Sequence, residues 1–191
     1  KKGVYSLQTT DSLSAVKTRE FEVLNKIEWA HASGISEQDN LTKISSSNAF
    51  ATSKNYLDPQ QNGKVDFQFA VAGVGKMGFT TDDDINSASD IKYGFYQWNV
   101  YLYMIYNGNE VYFQIPGGQY FNSANKLSLE RIGNVMYYKL NGVVVYQGAV
   151  SPNEKLYVGV SSYANGNKVM RVLTDFGEGD DRIVDKTSYF N

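Results

Sequence analysis

Apolar and polar residues alternate with a period of two along most of this chain of 191 residues. In the stretch 127–132, "LSLERI", Leu127 and Leu129 share one face with Arg131, whereas Ser128 and Glu130 share the other. Such alternation is typical of β-strands with one buried face, because helices bury residues three to four positions apart. Helical spacing is almost absent from the chain. The pattern therefore predicts an antiparallel β protein.

Thirteen stretches have the alternation and the residue types of strands, and turn-forming residues such as Asn-Gly separate them. The predicted strands are Phe21–Trp29, Leu41–Ile44, Ala49–Thr52, Lys64–Val71, Lys76–Thr80, Ile91–Trp98, Val100–Tyr106, Glu110–Ile115, Lys126–Ile132, Val135–Leu140, Val143–Gln147, Leu156–Tyr163 and Lys168–Phe176. One short helical turn is predicted within residues 11–20, "DSLSAVKTRE".

The segment 129–148 shows the pattern in most detail. Val135, Tyr137 and Lys139 alternate with three apolar or aromatic residues, and Asn141-Gly142 follows. This dipeptide favours a type I′ turn, which needs positive φ at both central residues. Residues 143–146 are then predicted to return as a buried strand. The segment is interpreted as a three-stranded meander with one face in the core.

Many short strands without intervening helices imply an all-β fold, an antiparallel two-sheet β-sandwich or barrel. A chain of this length fits one such domain. We expect a single domain over residues 1–191, with a core at about 20–176, a short N-terminal segment and an acidic C-terminal tail. The abrupt start at Lys1 suggests a mature form or an excised domain, so the chain is expected to belong to a larger multidomain protein.

The net charge and the composition argue against several classes of function. The formal net charge is −2 and the basic residues are scattered, which argues against nucleic acid as a partner. The chain has no cysteine, so it has neither disulfides nor zinc–thiolate sites. Its apolar runs are far too short to span a bilayer, so no membrane insertion is expected.

Aromatic residues are the strongest compositional bias, with 15 Tyr, 10 Phe and 2 Trp. Sugars present flat C–H faces that stack on such rings, and their hydroxyls bond to Asn and Gln. Leu102 and Met104 are predicted to face the core, which places Tyr101 and Tyr103 on the opposite side of the strand. The predicted carbohydrate-binding residues are Tyr96, Trp98, Tyr101, Tyr103, Asn107, Tyr112 and Gln114. The alternative is that these rings fill the gap between the sheets.

The acidic stretch "TTDDDINSASD" at 80–90 is a candidate calcium loop, because clustered carboxylates suit hard cations. Its candidate ligands are Asp82, Asp83, Asp84 and Asp90. The spacing does not match an EF-hand, and the alternative is a solvated acidic turn. Calcium is the one cofactor that the sequence suggests. The single histidine, His31, is interpreted as structural or surface-exposed.

Three stretches carry a resemblance to a known group of domains. They are "DIKYGFYQWNVYLYMIYNGN", "KLSLERIGNVMYYKLNGVVVYQG" and "LYVGVSSYANG". These resemble bacterial domains of the concanavalin A-like lectin/glucanase superfamily, over roughly residues 25–173. The resemblance implies a jelly roll appended to secreted or cell-surface proteins. Carbohydrate binding is the recurrent activity of that superfamily.

Enzymes on the same fold have recognisable motifs that this chain lacks. The E-[ILV]-D-x-x-E strand of jelly-roll glucanases is absent, as are the Q-x-H and R-x-E-x-R motifs of lyases. We therefore expect a non-catalytic glycan- or polysaccharide-binding module of a secreted or cell-surface bacterial protein. Two alternatives stay open: a structural or adhesive protein-interaction module, and a lyase or glycosidase with an unorthodox site.

Overall fold

The computed structural model describes residues 3–11, 16–37, 40–43, 48–69, 73–116, 120–163, 166–177 and 181–185. Within these ranges the chain forms seventeen strands and one 3-10 turn at Ala88–Asp90. No helix of this part of the chain is long and apolar enough to cross a membrane. The strands are β1 (Gly3–Thr10), β2 (Val16–Lys26), β3 (Trp29–Ser33), β4 (Ile35–Glu37), β5 (Asn40–Lys43), β6 (Ala49–Leu57), β7 (Gly63–Phe69), β8 (Gly73–Thr80), β9 (Tyr93–Asn99), β10 (Tyr101–Tyr106), β11 (Asn109–Phe113), β12 (Leu127–Ile132), β13 (Val135–Leu140), β14 (Val143–Ala149), β15 (Leu156–Ser162), β16 (Lys168–Thr174) and β17 (Asp181–Asp185).

The strands form two antiparallel sheets, which confirms the predicted all-β sandwich. The seven-stranded sheet has the order β11-β10-β9-β8-β15-β6-β3. The ten-stranded sheet follows β1-β2-β16-β7-β12-β13-β14, with β17 beside β2 and the pair β4–β5 beside β16. Strands that are distant in sequence, such as β7 and β16, are neighbours in this sheet, so one hydrophobic core joins most of the chain.

The core lies between the sheets and consists of the residues that alternation assigns to the inner faces. Phe95 of β9 contacts Phe67 of β7 and Tyr138 of β13, with ring centroids 6.1 and 5.6 Å apart in edge-to-face geometry. The Tyr138 hydroxyl donates a hydrogen bond of 2.6 Å to the Ile105 carbonyl of the opposite sheet. This bond gives the buried phenol a partner, so a ring with a polar end can lie in the core without leaving that end unpaired.

The predicted meander is confirmed as β12, β13 and β14. Asn107-Gly108 and Asn141-Gly142 both have positive φ at both positions, as type I′ hairpins require. The prediction that residues 143–146 are buried is wrong. Val143 and Val144 are 66% and 46% exposed, because β14 is the last strand of its sheet and has a partner on one side only.

The helical turn predicted over residues 11–20 is also wrong where the structure describes it. Residues 16–20 belong to β2, and β1 pairs with them from Gly3↔Val23 to Thr10↔Val16. Residues 12–15 lie outside the described ranges. Cross-strand pairing outweighs the weak local preference for helix here. Strand β17, within the predicted acidic tail, also pairs with β2.

Arg131 ties together one end of the sandwich. It lies on the inward face of β12 and is fully buried. Its guanidinium donates to the carbonyls of Gln61 at 2.9 Å, Glu154 at 2.7 Å and Asp58. These carbonyls belong to the β6–β7 and β14–β15 loops, so one side chain fixes both loops against β12. A buried cation is tolerated here because backbone oxygens surround it.

Replacing Arg131 by Met keeps much of the volume but leaves the three carbonyls without their donor. An unpaired buried acceptor costs about 1–3 kcal/mol, and water can reach some loop oxygens, so we expect a loss of about 2–4 kcal/mol in the free energy of unfolding. Chemical denaturation measures it. The control Lys54→Gln removes the exposed Lys54–Glu28 pair, which should change the free energy by no more than about 0.5 kcal/mol. Equal losses in the two variants would contradict this role of Arg131.

Candidate functional site

The outer face of the seven-stranded sheet, which points away from the ten-stranded sheet, carries a group of aromatic rings. Alternation turns Leu102 and Met104 into the core, where they are buried as predicted, and Phe95 of the neighbouring strand is buried with them. Their neighbours therefore face outward. Cross-strand pairing brings these outward residues into register, with Tyr101 opposite Trp98 and Tyr103 between Tyr96 and Tyr112. We call the whole set the ring surface: Tyr96, Trp98, Tyr101, Tyr103, Tyr112 and Tyr120.

The rings of this surface contact one another in a continuous chain. Tyr103 lies 5.4 Å from both Tyr96 and Tyr112, and Tyr101 lies 6.1–6.3 Å from Trp98, Tyr112 and Tyr120, measured between centroids. Tilted and edge-to-face rings at these separations attract each other. Trp98 is still 48% exposed and Tyr112 is 54% exposed. The rings therefore hold each other in place and still leave aromatic area in contact with solvent.

Tyr120 reaches the ring surface from outside the sheet. The N–H of its neighbour Phe121 donates to the Val100 carbonyl at 3.0 Å, and the Phe121 ring is buried in the core. This anchor brings Tyr120 beside Tyr101. Sequence reasoning did not select Tyr120 as a site residue, because no strand pattern places it. Its presence in an aromatic-rich stretch is the only signal that could have indicated it.

A loop of residues 81–92 covers the other part of the outer face. Ile85 and Ile91 of this loop form a small apolar cluster with Ile105 of β10. They lie over paired glycines: Gly159 of β15 is opposite Gly78, and Gly78 is opposite Gly94. A Cβ on Gly159 would lie 3.1 Å from the ends of both isoleucines. The loop can lie flat on the sheet because these positions have no side chains.

Lys76 and Glu110 meet where the loop borders the ring surface. The Lys76 Nζ lies 2.6 Å from a Glu110 carboxylate oxygen and 3.3 Å from the Ala88 carbonyl of the loop. It also lies 5.5 Å from the centroid of the Tyr96 ring. Burial, and after it the nearby Glu110 carboxylate, raises the pKa of Tyr96. Neither Lys76 nor Glu110 was selected from the sequence, since their strands are not adjacent.

Five of the seven predicted carbohydrate-binding residues come together on this face, and the other two are placed differently. Gln114 directly follows β11, two residues after Tyr112, and is exposed. Asn107 lies in the β10–β11 turn with φ +49°. It is six residues from Tyr101 along an extended strand, which corresponds to about 20 Å. Asn107 is therefore outside the group of rings, because the hairpin turn is at the opposite end of β10.

The four predicted calcium ligands lie in the loop 81–92, and two of them accept hydrogen bonds from its backbone. Asp82 accepts a hydrogen bond from the Asp84 N–H, and Asp90 accepts from the N–H groups of Asn86 and Ser87. Among the residues that the structure describes, no three carboxylate, histidine or cysteine side chains cluster as metal ligands would. His31 is exposed, and its Nδ1 lies 3.7 Å from Asp84.

Several solved structures share this fold. The SPRY domain of human HERC1 matches with a TM-score of 0.55 at 14% identity, over 76% of this chain and 96% of that one. The TRIM65 PSpry domain matches at 0.52 and 9% identity, over 76% and 90%. The Emp47p carbohydrate recognition domain matches at 0.50 and 14% identity, over 91% and 96%. No family model and no curated protein matches the sequence. The likenesses establish a jelly-roll sandwich of the kind found in SPRY and lectin domains.

The exposure of the ring surface can be measured through the two tryptophans. Trp29 is 9% exposed and Trp98 is 48% exposed. We expect acrylamide to quench the fluorescence of the protein in two components, and Trp98→Phe to remove the accessible one. The matched variant Trp29→Phe should retain that component. Quenching of the Trp29→Phe protein as weak as that of a buried tryptophan would show that the ring surface is covered.

Proposed function

We propose that this chain is a non-catalytic glycan-binding module of a secreted or cell-surface bacterial protein, and that the ring surface is its binding site. The observation that carries the proposal is the contiguous group of six aromatic rings on one face of the sheet, of which Trp98, Tyr101, Tyr112 and Tyr120 are exposed and the other two half-buried. Rings that are fixed by mutual contact lose little side-chain freedom when a ligand covers them.

The chemistry of the ring surface suits a saccharide. The ring faces offer flat apolar area to sugar C–H groups, and removal of this area from water favours association. The tyrosine hydroxyls, Gln114 and the Glu110 carboxylate supply donors and acceptors for sugar hydroxyls. This combination of apolar area with polar groups at its margin is typical of small-molecule sites.

The fold supports the same proposal by analogy. Emp47p, with the same arrangement of strands, is described as a carbohydrate recognition domain. At 14% identity the comparison extends to the fold alone, so the argument for this chain rests on its own side chains. The absence of glucanase and lyase motifs from the sequence supports a binding role without catalysis.

A structural or adhesive module that binds protein is the second candidate. The last strand of the seven-stranded sheet, β11, exposes Val111 on one face and Tyr112 on the other, at 51% and 54%. An uncovered strand edge with apolar side chains is suited to pairing with another chain. This candidate predicts no affinity for oligosaccharides.

Alanine substitution tests the ring surface directly. A screen of oligosaccharides first identifies a ligand, and calorimetric titration then compares the variants. We expect Trp98→Ala and Tyr103→Ala each to weaken binding about tenfold, as loss of a central aromatic contact does in other interfaces.

The control is Tyr137→Ala, which removes a half-buried tyrosine from the outer face of the ten-stranded sheet. It should leave the affinity unchanged. If binding survives both substitutions on the ring surface, the site lies elsewhere; if no oligosaccharide binds the native protein, the protein-binding candidate replaces the proposal.

We also propose, from the carboxylates that the sequence brings close together, calcium binding by Asp82, Asp83, Asp84 and Asp90, as a property separable from the sugar site. These side chains do not cluster as metal ligands in the structure, so the loop would have to bring them together around the ion. Calcium that binds the folded protein should raise its melting temperature in proportion to the logarithm of its concentration. The double variant Asp82→Asn and Asp84→Asn should abolish that rise, because it removes two of the negative charges that would hold the ion. A melting temperature that does not change up to millimolar calcium would end this proposal.

A further inference from the structure

The pair of Lys76 and Glu110 occupies an unexpected place for two charges. Lys76 belongs to β8 and Glu110 to β11, so their side chains reach across two intervening strands on the outer face. The Lys76 side chain is only 10% exposed, whereas that of Glu110 is 39% exposed. Removing a charge from water is costly, and apolar residues often stabilise such positions as well or better. Fold stability therefore does not explain why this charged pair is present, and a role in ligand recognition would explain it.

The cation of Lys76 is fully engaged. Its Nζ atom forms an ion pair with Glu110 and donates a hydrogen bond to the Ala88 carbonyl. The Tyr96 ring lies within cation–π distance of the same atom. An anionic ligand would have to displace Glu110 to gain this charge. In the native protein Lys76 is therefore a support for the carboxylate, which it holds in position beside Tyr96.

The negative charge that borders the ring surface is that of Glu110. The other acidic residues of 73–116 belong to the loop 81–92, and one of them, Asp84, lies beside His31 of β3, at the opposite edge of the sheet. The second lysine of this part of the chain, Lys92, lies 4.0 Å from Glu154. A carboxylated or sulfated sugar that lies on the rings would be repelled by the Glu110 carboxylate, and a neutral sugar would not.

We propose that the ring surface selects neutral glycans over anionic ones and that Glu110 is the specificity-determining residue. The inference rests on the proposed glycan-binding function. The Glu110 carboxylate, held by Lys76, accepts hydrogen bonds from sugar hydroxyls at the margin of the rings. The same carboxylate repels acidic sugars and prevents Lys76 from binding them.

The test uses two oligosaccharides that differ only in charge, for example a galactan oligomer and the galacturonan oligomer of the same linkage and length. Calorimetric titration at low salt gives both affinities. We expect the native protein to bind the neutral member at least tenfold more tightly. Glu110→Gln removes the carboxylate that pairs with Lys76, so it should weaken binding of the galactan oligomer and strengthen binding of the galacturonan oligomer. The ratio of the two affinities should change by about tenfold.

Salt dependence separates this effect from a general loss of structure. The new affinity of Glu110→Gln for the anionic oligomer should fall as salt is added, because salt screens the carboxylates of the oligomer that Lys76 attracts. The double variant Lys76→Met and Glu110→Met should fold and should show little preference between the two oligomers. The control Glu130→Gln removes the acid of the Lys139–Glu130 pair in the other sheet, and it should leave the ratio unchanged.

The outcomes distinguish this inference from the function on which it rests. Tighter binding of the galacturonan by the native protein, or an unchanged ratio in Glu110→Gln, overturns the selection of neutral glycans and leaves glycan binding intact. If neither these two oligomers nor any other oligosaccharide in the screen binds, glycan binding fails and the inference fails with it.

Discussion

The close approach of two backbones at Gly78 and Gly94 is the constraint on which the outer face of the seven-stranded sheet depends. A Cβ on Gly78 would lie 2.0 Å from the Tyr93 carbonyl oxygen, and one on Gly94 would lie 2.5 Å from the Met77 carbonyl oxygen. Neither backbone can move away without loss of its strand pairing. This strip of the sheet therefore has no side chains, and the loop 81–92 fills the space that they would occupy.

The loop in turn determines where the charged pair of Lys76 and Glu110 lies. Its Ala88 carbonyl gives Lys76 an acceptor at 3.3 Å, on a face where the sheet itself uses its backbone groups for strand pairing. With that acceptor and Glu110 in place, the ammonium group of Lys76 has two polar partners although little of the side chain is exposed. Arg131, at one end of the sandwich, is held in a comparable way by three backbone carbonyls. In both places loop carbonyls, arranged by the fold, compensate a buried cation.

Alternation and turn chemistry could predict the frame of this protein because both depend on residues close in sequence. The two Asn-Gly hairpins, the meander of β12 to β14 and the inward orientation of Leu102 and Met104 are of this kind. The sequence pattern did not predict strand β1 or the first residues of β2, because these two segments are stabilised by pairing with each other. Val143 looks like a core residue by its chemistry, and only its place on the last strand of the sheet exposes it. Lys76 and Glu110 meet through the register of four strands, which no pattern within one strand contains.

Within the part of the chain that the structure describes, the loop 81–92 covers one part of the outer face and the adjacent part is exposed, although both parts are apolar. Ile105 is fully buried under the loop, whereas Tyr101, in the same strand and on the same face, is 39% exposed. Full burial of a large apolar side chain is worth about 1.5–3 kcal/mol, and a ring that is left partly in water forgoes a share of that amount. A contiguous apolar patch of this kind marks a contact surface in most soluble proteins, and single exposed rings do not. The rings contact one another on a sheet of paired strands, so they form one continuous surface, as a binding surface requires.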